Sequence, residues 1–143
     1  MNNPADTSPG SPAAFRGPGG HYHDVLAELK EPSGELRRHI EDVYAGFAQL
    51  HKASLAGGVL SAGTKELIAT AIAIAEQCDG CIASHARGAA RKGVTPAEFA
   101  EMVGVTILMQ GGPATIYGPR AWDAFMEFLP ADVAAPAHAG TPS

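Results

Sequence analysis

Three helix signals follow one another in residues 65–99, KELIATAIAIAEQCDGCIASHARGAARKGVTPAEF, and they decide the fold. Residues 65–77 are apolar on most of a helical circumference, which is typical of a helix buried in a core or a subunit interface. A second helix is predicted to begin near Asp79 and to end at Gly93, because a glycine after two basic residues is a common C-terminal signal. Residues 95–98 (Thr-Pro-Ala-Glu) begin a third helix with a threonine cap, an early proline and a reciprocal glutamate.

Helical patterns continue on both sides of this stretch, and no convincing strand pattern interrupts them. Ser61 or Thr64 can cap the first of the three helices, and Pro32 fits the first turn of an earlier helix, where a missing N–H costs nothing. That earlier helix has an apolar stripe at three- and four-residue spacing, formed by Leu36, Ile40, Val43, Phe47 and Leu50. A short helix over residues 21–31 precedes it, and a last helix follows the break at 111–113. The sequence therefore predicts an all-α fold, a bundle of about six helices.

The apolar periodicity is confined to residues 21–129, which we interpret as one helical domain. Residues 1–20 and 130–143 together hold seven of the eleven prolines and are predicted to be disordered tails. Several helices are apolar on more than one face, and a single bundle of this length cannot bury all of those faces. Oligomerisation is therefore expected to complete the burial.

Charge and hydropathy exclude several classes of partner. The net charge is −5, and the ten lysines and arginines form no basic run, so a nucleic-acid partner is not expected. The longest nearly unbroken apolar stretch, residues 67–75, is about half of the ~20 residues that span a bilayer, so no membrane partner is expected either. Because no basic segment followed by an apolar one opens the chain, a cytoplasmic location is predicted.

The two cysteines of the chain both lie in the segment Cys78-Asp79-Gly80-Cys81. A structural disulfide is not expected in a reducing compartment, so the pair indicates redox or metal chemistry. Cys78, Cys81 and His85 share one helical face, at positions i, i+3 and i+7. Cys78 begins the helix, where free N–H groups and the macrodipole favour an anion. His85 lies four residues beyond Cys81, and an imidazole at that spacing can accept the proton of the Cys81 thiol.

Three interpretations of these residues are open. The pair can be a redox dithiol, or it can bind zinc together with His85 and a carboxylate such as Glu66, or it can be two inert buried cysteines. Structural zinc usually takes two ligand pairs from separate segments, and the second pair is absent here. A c-type haem requires a histidine directly after the second cysteine, where this chain has Ile82. The redox dithiol is the favoured interpretation.

A longer pattern extends this segment. Glu66, Cys78, Cys81 and His85 resemble the Glu-x11-Cys-x2-Cys-x3-His signature of alkylhydroperoxidase D (AhpD), a member of the wider carboxymuconolactone decarboxylase family. The flanking sequence is similar too, and the resemblance covers about residues 36–128. AhpD itself has a histidine between its two cysteines, where this chain has Gly80.

The resemblance implies an all-helical fold, assembly into homo-oligomers (trimers or hexamers), and thiol-dependent reduction of hydroperoxides. Carried over by position, Cys81 is the peroxidatic cysteine, Cys78 the resolving one, and His85 with Glu66 the proton relay. The spacing independently favours Cys81 as the attacking thiol, because it is the cysteine nearest His85. An external dithiol or thioredoxin-like reductant restores the pair, and no metal, flavin or haem cofactor is required.

Two alternatives to the peroxidase remain. One is a carboxymuconolactone-decarboxylase-like activity on a small lactone, which in that family does not depend on a cysteine pair. The other is a non-enzymatic oligomeric scaffold that binds zinc or senses redox state.

The proposed relay raises a geometric question. If the helices on either side of Cys78 form a tight hairpin, the residue level with Glu66 is near position 91, which is about 9 Å along the axis from His85. A relay then needs a wide crossing angle, a bent connection or a bridging water. His39 and His51 have no matching partners in the sequence and are predicted to be surface residues.

Overall fold

The computed structural model describes residues 20–134, and every regular element within that range is a helix. The helices are α1 (His21–Glu28), α2 (Lys30–His39), α3 (Glu41–Leu55), α4 (Ala62–Ala75), α5 (Asp79–Arg91), α6 (Pro96–Gln110), α7 (Gly112–Phe128) and α8 (Ala131–Ala134). The predicted all-α fold is confirmed. No described helix is both long and apolar enough to cross a bilayer.

The core forms around α5, which packs between α4 and α7. Alanines at three-residue intervals on α5 are fully buried, and their small side chains let the neighbouring helices approach closely: Ala83, Ala86 and Ala89. From the other side, Phe99 of α6 stacks on Phe125 of α7 with ring centroids 4.2 Å apart. Both phenylalanines are fully buried, so α6 extends the core by packing on α7 and α4, while α7 packs on α5, the helix that begins at the cysteine pair.

The structure contains the N-terminal helix caps that the sequence predicts. Ser61, not Thr64, caps α4, since the Ser61 hydroxyl accepts a bond of 3.0 Å from the Thr64 backbone N–H. Thr95 and Glu98 form the predicted capping box at the start of α6. The backbone N–H of Thr95 donates to the Glu98 carboxylate over 2.8 Å, and these hydrogen bonds from Thr95 hold the pKa of Glu98 below its usual range. The box therefore contributes stability above the ordinary glutamate pKa and loses it as pH falls through the lowered value.

The predicted earlier helix is divided into two. Ile40 leaves the helical region, with φ −137° and ψ 50°, and it separates α2 from α3. Pro32 lies in the first turn of α2, as predicted. At the other end of the chain, Ala131–Ala134 form a single helical turn within the range predicted as a tail. Gly20 and Pro130 are also described, and the other predicted tail residues, 1–19 and 135–143, lie outside the described range.

Several apolar faces are exposed in the isolated chain. The stripe predicted on α2 and α3 faces solvent, with Phe47 62% exposed. On α4 and α6, Ile72 is 58% exposed and Met109 74% exposed. A largely apolar groove of about 460 Å³ lies between these two helices. Several of the helical faces that are apolar in sequence therefore remain exposed in the folded chain.

The capping box gives a test of the helix start. Thr95→Ala is expected to lower the free energy of unfolding by ~1 kcal/mol, because the N–H of Glu98 loses its acceptor. Thr115→Ala is the matched control: this exposed threonine lies inside α7 and donates only to the carbonyl of Gly112. Urea denaturation of both variants measures the difference. Equal effects at the two positions would contradict the assigned cap.

Candidate active site

Cys78 and Cys81 are joined by a disulfide, with their Cα atoms 5.2 Å apart. Cys78 is the N-cap residue of α5, and its Sγ accepts a bond of 3.3 Å from the backbone N–H of Cys81. Cys81 is exposed, whereas Cys78 is partly buried. The sulfurs are therefore not sealed inside the core, and a solvent-borne molecule can reach Cys81.

Glu66 and His85 form a direct pair. Oε2 of the glutamate lies 2.8 Å from Nδ1 of the histidine. The Glu66 side chain is 8% exposed and that of His85 21% exposed. Because an ionised carboxylate only accepts hydrogen bonds, Nδ1–H of the ring donates to it. In the neutral ring Nε2 is then a proton acceptor, and it has no hydrogen-bond partner within residues 20–134.

The mismatch that a tight hairpin would impose does not arise, and a bent connection, one of the three expected solutions, is present. After α4 ends at Ala75, Gln77 adopts a left-handed conformation with φ +56° and Cys78 is extended. The chain therefore does not enter α5 as a tight hairpin. Glu66 comes level with residues 85–88 instead of residue 91, and no bridging water is needed.

Gly88 is the residue that lets the carboxylate come so close. A Cβ added at this position would lie 2.5 Å from both Cδ and Oε1 of Glu66, which is far inside van der Waals contact. The Glu66 carboxylate therefore occupies the space that a side chain at position 88 would fill. Sequence reasoning did not single out this glycine, although a glycine in a helix interior is itself a signal of close approach.

His51 also belongs to the site. Its ring stacks on that of His85 with centroids 6.0 Å apart and an interplanar angle of 24°. It is exposed, as predicted, but it has a partner that the sequence did not reveal. The contact depends on how α3 folds back towards α5, and no local pattern encodes that.

A pocket of about 240 Å³ opens between α3 and α5 beside the Glu–His pair. Its lining residues, which come mostly from one face of α5, are polar or charged apart from one glycine: His51, Glu66, Ser84, His85, Arg87, Gly88, Arg91 and Lys92. Within residues 20–134, no group of three or more His, Cys, Asp or Glu side chains is placed to hold a metal ion.

The fold and the site together define an all-α protein with a cysteine pair at a helix N-terminus and, one turn further on, a histidine that is paired with a buried glutamate of the preceding helix. The profile of the carboxymuconolactone decarboxylase family matches residues 41–124, and the chain belongs to that family. This confirms the resemblance found in the sequence.

The chain is also similar to proteins of known sequence and structure. An uncharacterised protein of Cupriavidus necator is 34% identical over 96 residues, which cover 67% of this chain and 85% of that protein. Uncharacterised protein 4 in the cox locus of Paracoccus denitrificans is 36% identical over 101 residues, covering 67% and 91% respectively. Among solved structures, an apo carboxymuconolactone decarboxylase family protein of Legionella pneumophila matches with a TM-score of 0.72 and 34% identity, over 75% of this chain and 96% of that one.

The close contact at Gly88 can be tested by replacing two helical glycines with alanine, because the two substitutions are expected to change the free energy of unfolding in opposite directions. Gly104 lies inside α6, where an added Cβ meets no atom within 4 Å, so Gly104→Ala is expected to stabilise the fold by ~0.5–1 kcal/mol. Gly88→Ala is expected to destabilise it, because overlap with the carboxylate costs ~1–3 kcal/mol and exceeds that gain. Chemical denaturation measures both changes.

A double-mutant cycle isolates the cause. Glu66→Ala removes the carboxylate, so in that background Gly88→Ala is expected to be neutral or stabilising. Equal destabilisation by Gly88→Ala with and without Glu66 would show that the carboxylate does not occupy this space.

Proposed function

We propose that the protein is a thiol-dependent peroxidase that reduces hydroperoxides through Cys81 and Cys78, with His85 and Glu66 as a proton relay. One observation carries the proposal. The cysteine pair is joined at the N-terminus of α5, one turn before a histidine that is itself oriented by a buried carboxylate. This arrangement supplies a nucleophile (Cys81), a base (His85) and a residue that orients the base (Glu66).

The first step consumes the peroxide. Nε2 of His85 accepts the thiol proton of Cys81, and the thiolate attacks the terminal oxygen of ROOH. The S–O bond forms as the O–O bond breaks, so Cys81 becomes a sulfenic acid and RO⁻ leaves. The proton held by His85 converts RO⁻ to ROH. The macrodipole of α5 favours the thiolate, because the sulfurs lie at its positive end.

The second and third steps restore the dithiol. The Cys78 thiol attacks the Cys81 sulfenic acid, the disulfide forms and water leaves. The disulfide of this structure corresponds to that oxidised product. An external dithiol, thioredoxin-like in its chemistry, then reduces the pair and is itself oxidised. The exposure of Cys81 supports this step, because the reductant must reach a sulfur. We place the cycle in a reducing cytoplasm, where such dithiols are abundant.

We further propose that the protein works as a homo-oligomer, a trimer or a hexamer. The support is the exposed apolar surface on α3, α4 and α6, together with the groove between the last two helices. A second copy that covered this surface would remove the exposed side chains of Ile72 and Met109 from water.

Assembly is tested by size-exclusion chromatography with light scattering. The wild-type protein is expected to have the mass of three or six chains. Ile72→Lys is expected to lower the measured mass, because an ammonium group in the groove would lose its hydration if a second copy covered it. Val133→Lys is the control, since Val133 is exposed but lies on α8, away from the groove. A monomeric wild type would contradict the oligomer.

The peroxidase chemistry is tested by stopped-flow reaction of the reduced protein with cumene hydroperoxide. Cys81→Ser is expected to abolish peroxide consumption, and Cys78→Ser to stop after one turnover at the sulfenic acid, because no second thiol can resolve it. His85→Ala is expected to lower the rate by ~10²–10⁴, the usual contribution of a placed proton donor. Glu66→Gln is expected to act in the same direction through the ring orientation of His85.

Thiol titration provides the stoichiometry, and His39→Ala provides the control, since His39 is an exposed histidine at the end of α2. The wild type and the control are expected to lose two thiols together per peroxide. Full peroxide consumption by Cys81→Ser would refute the proposal.

A further inference from the structure

The pocket between α3 and α5 concentrates positive charge. Arg87, Arg91 and Lys92 all line it, so three of the chain's ten lysines and arginines lie here in a protein of net charge −5. Glu66 is the only carboxylate among the described lining residues, and it already accepts a bond from His85. The pocket beside the proposed base is therefore cationic.

These cations have no acidic partner in the described chain. None of the ion pairs found in residues 20–134 includes Arg87, Arg91 or Lys92. Arg87 and Arg91 are four residues apart on α5, a spacing at which like charges repel. Burial, and then the charge of Arg91, lower the pKa of Arg87. The helix macrodipole accounts for basic residues in the last turn of α5, but not for Arg87 one turn earlier.

We propose that this pocket binds an anionic oxygen group, a carboxylate or a phosphate, carried by the hydroperoxide that reacts at Cys81, with Arg87 and Arg91 as the binding groups. The proposal rests on the peroxidase function and names its substrate class. A guanidinium presents two parallel N–H donors that match both kinds of anion. Lys92 adds a third positive charge at the rim of the pocket.

The dimensions restrict the substrate further. The pocket volume of about 240 Å³ is below the ~300–1,000 Å³ of sites for drug-sized ligands, so it suits a small molecule. Arg87 lies six positions after Cys81, a rise of about 9 Å along the axis of α5. An aromatic hydroperoxide with an acidic group at the opposite end of its ring has about this length, whereas hydrogen peroxide cannot span it.

The reaction tests the proposal with two hydroperoxides of matched shape, cumene hydroperoxide and its para-carboxylated derivative. The wild type is expected to react at least about tenfold faster with the carboxylated compound, and added salt is expected to reduce that preference. Arg87→Gln/Arg91→Gln is expected to remove the preference while cumene hydroperoxide still reacts. Lys30→Gln/Arg38→Gln is the control, because it changes the net charge equally on the exposed surface of α2.

Binding to the disulfide form tests the same site without any turnover. In NMR titrations, 4-isopropylbenzoate and 4-isopropylphenyl phosphate are expected to shift α5 resonances, and the neutral 4-isopropylbenzamide is not. The tighter of the two anions identifies the acidic group. The arginine double variant is expected to lose this selectivity, and the α2 control to keep it.

The two proposals fail in different ways. If neither hydroperoxide oxidises the reduced thiols, the proposed peroxidase function is refuted. The NMR titrations then still show whether the pocket binds anions selectively. If both hydroperoxides react equally and the three titrants bind equally or not at all, the anion site is refuted while the peroxidase stands.

Discussion

The buried contact between Glu66 and His85 is the constraint on which the site depends. A carboxylate that is almost removed from water is costly unless it is hydrogen-bonded, and here the imidazole donor is held 2.8 Å away. The contact ties α4 to α5 on the side of α5 that bears the cysteines, and Gly88 leaves the space for it. It also fixes which nitrogen of His85 carries the proton, so the free nitrogen is available as a base.

Local chemistry explains why much of the structure could be predicted. The cap at Thr95 and the cysteine pair at the start of α5 each depend on residues within one helical turn, and short segments encode such features directly. The family signature supplied Glu66, which helix periodicity alone does not distinguish from a first-turn carboxylate that complements the helix dipole. The four candidate site residues could therefore be named before their positions in the structure were known.

The path of the backbone explains what could not be predicted. The direct Glu66–His85 hydrogen bond depends on the left-handed conformation of Gln77 and the extended conformation of Cys78. Together they set how α4 and α5 align, and no sequence pattern predicts that alignment. The stacking of His51 on His85 depends on the turn of the chain after α3, which brings α3 back beside α5. The close approach at Gly88 follows from the same long-range packing, because it depends on the Glu66 carboxylate that lies opposite the glycine.

One helix thus sets up two electrostatic environments. At its N-terminus, the free N–H groups of α5 favour a sulfur anion on an exposed surface. At its C-terminal half, the carbonyl end of the macrodipole disfavours anions, so a site for an anion there requires added cations. Arg91 and Lys92 offset the dipole, and Arg87 brings positive charge a turn closer to His85. A molecule lying along α5 would therefore meet the cysteine pair, the proposed nucleophile, at one end and cations at the other, with the proposed relay of Glu66 and His85 between them.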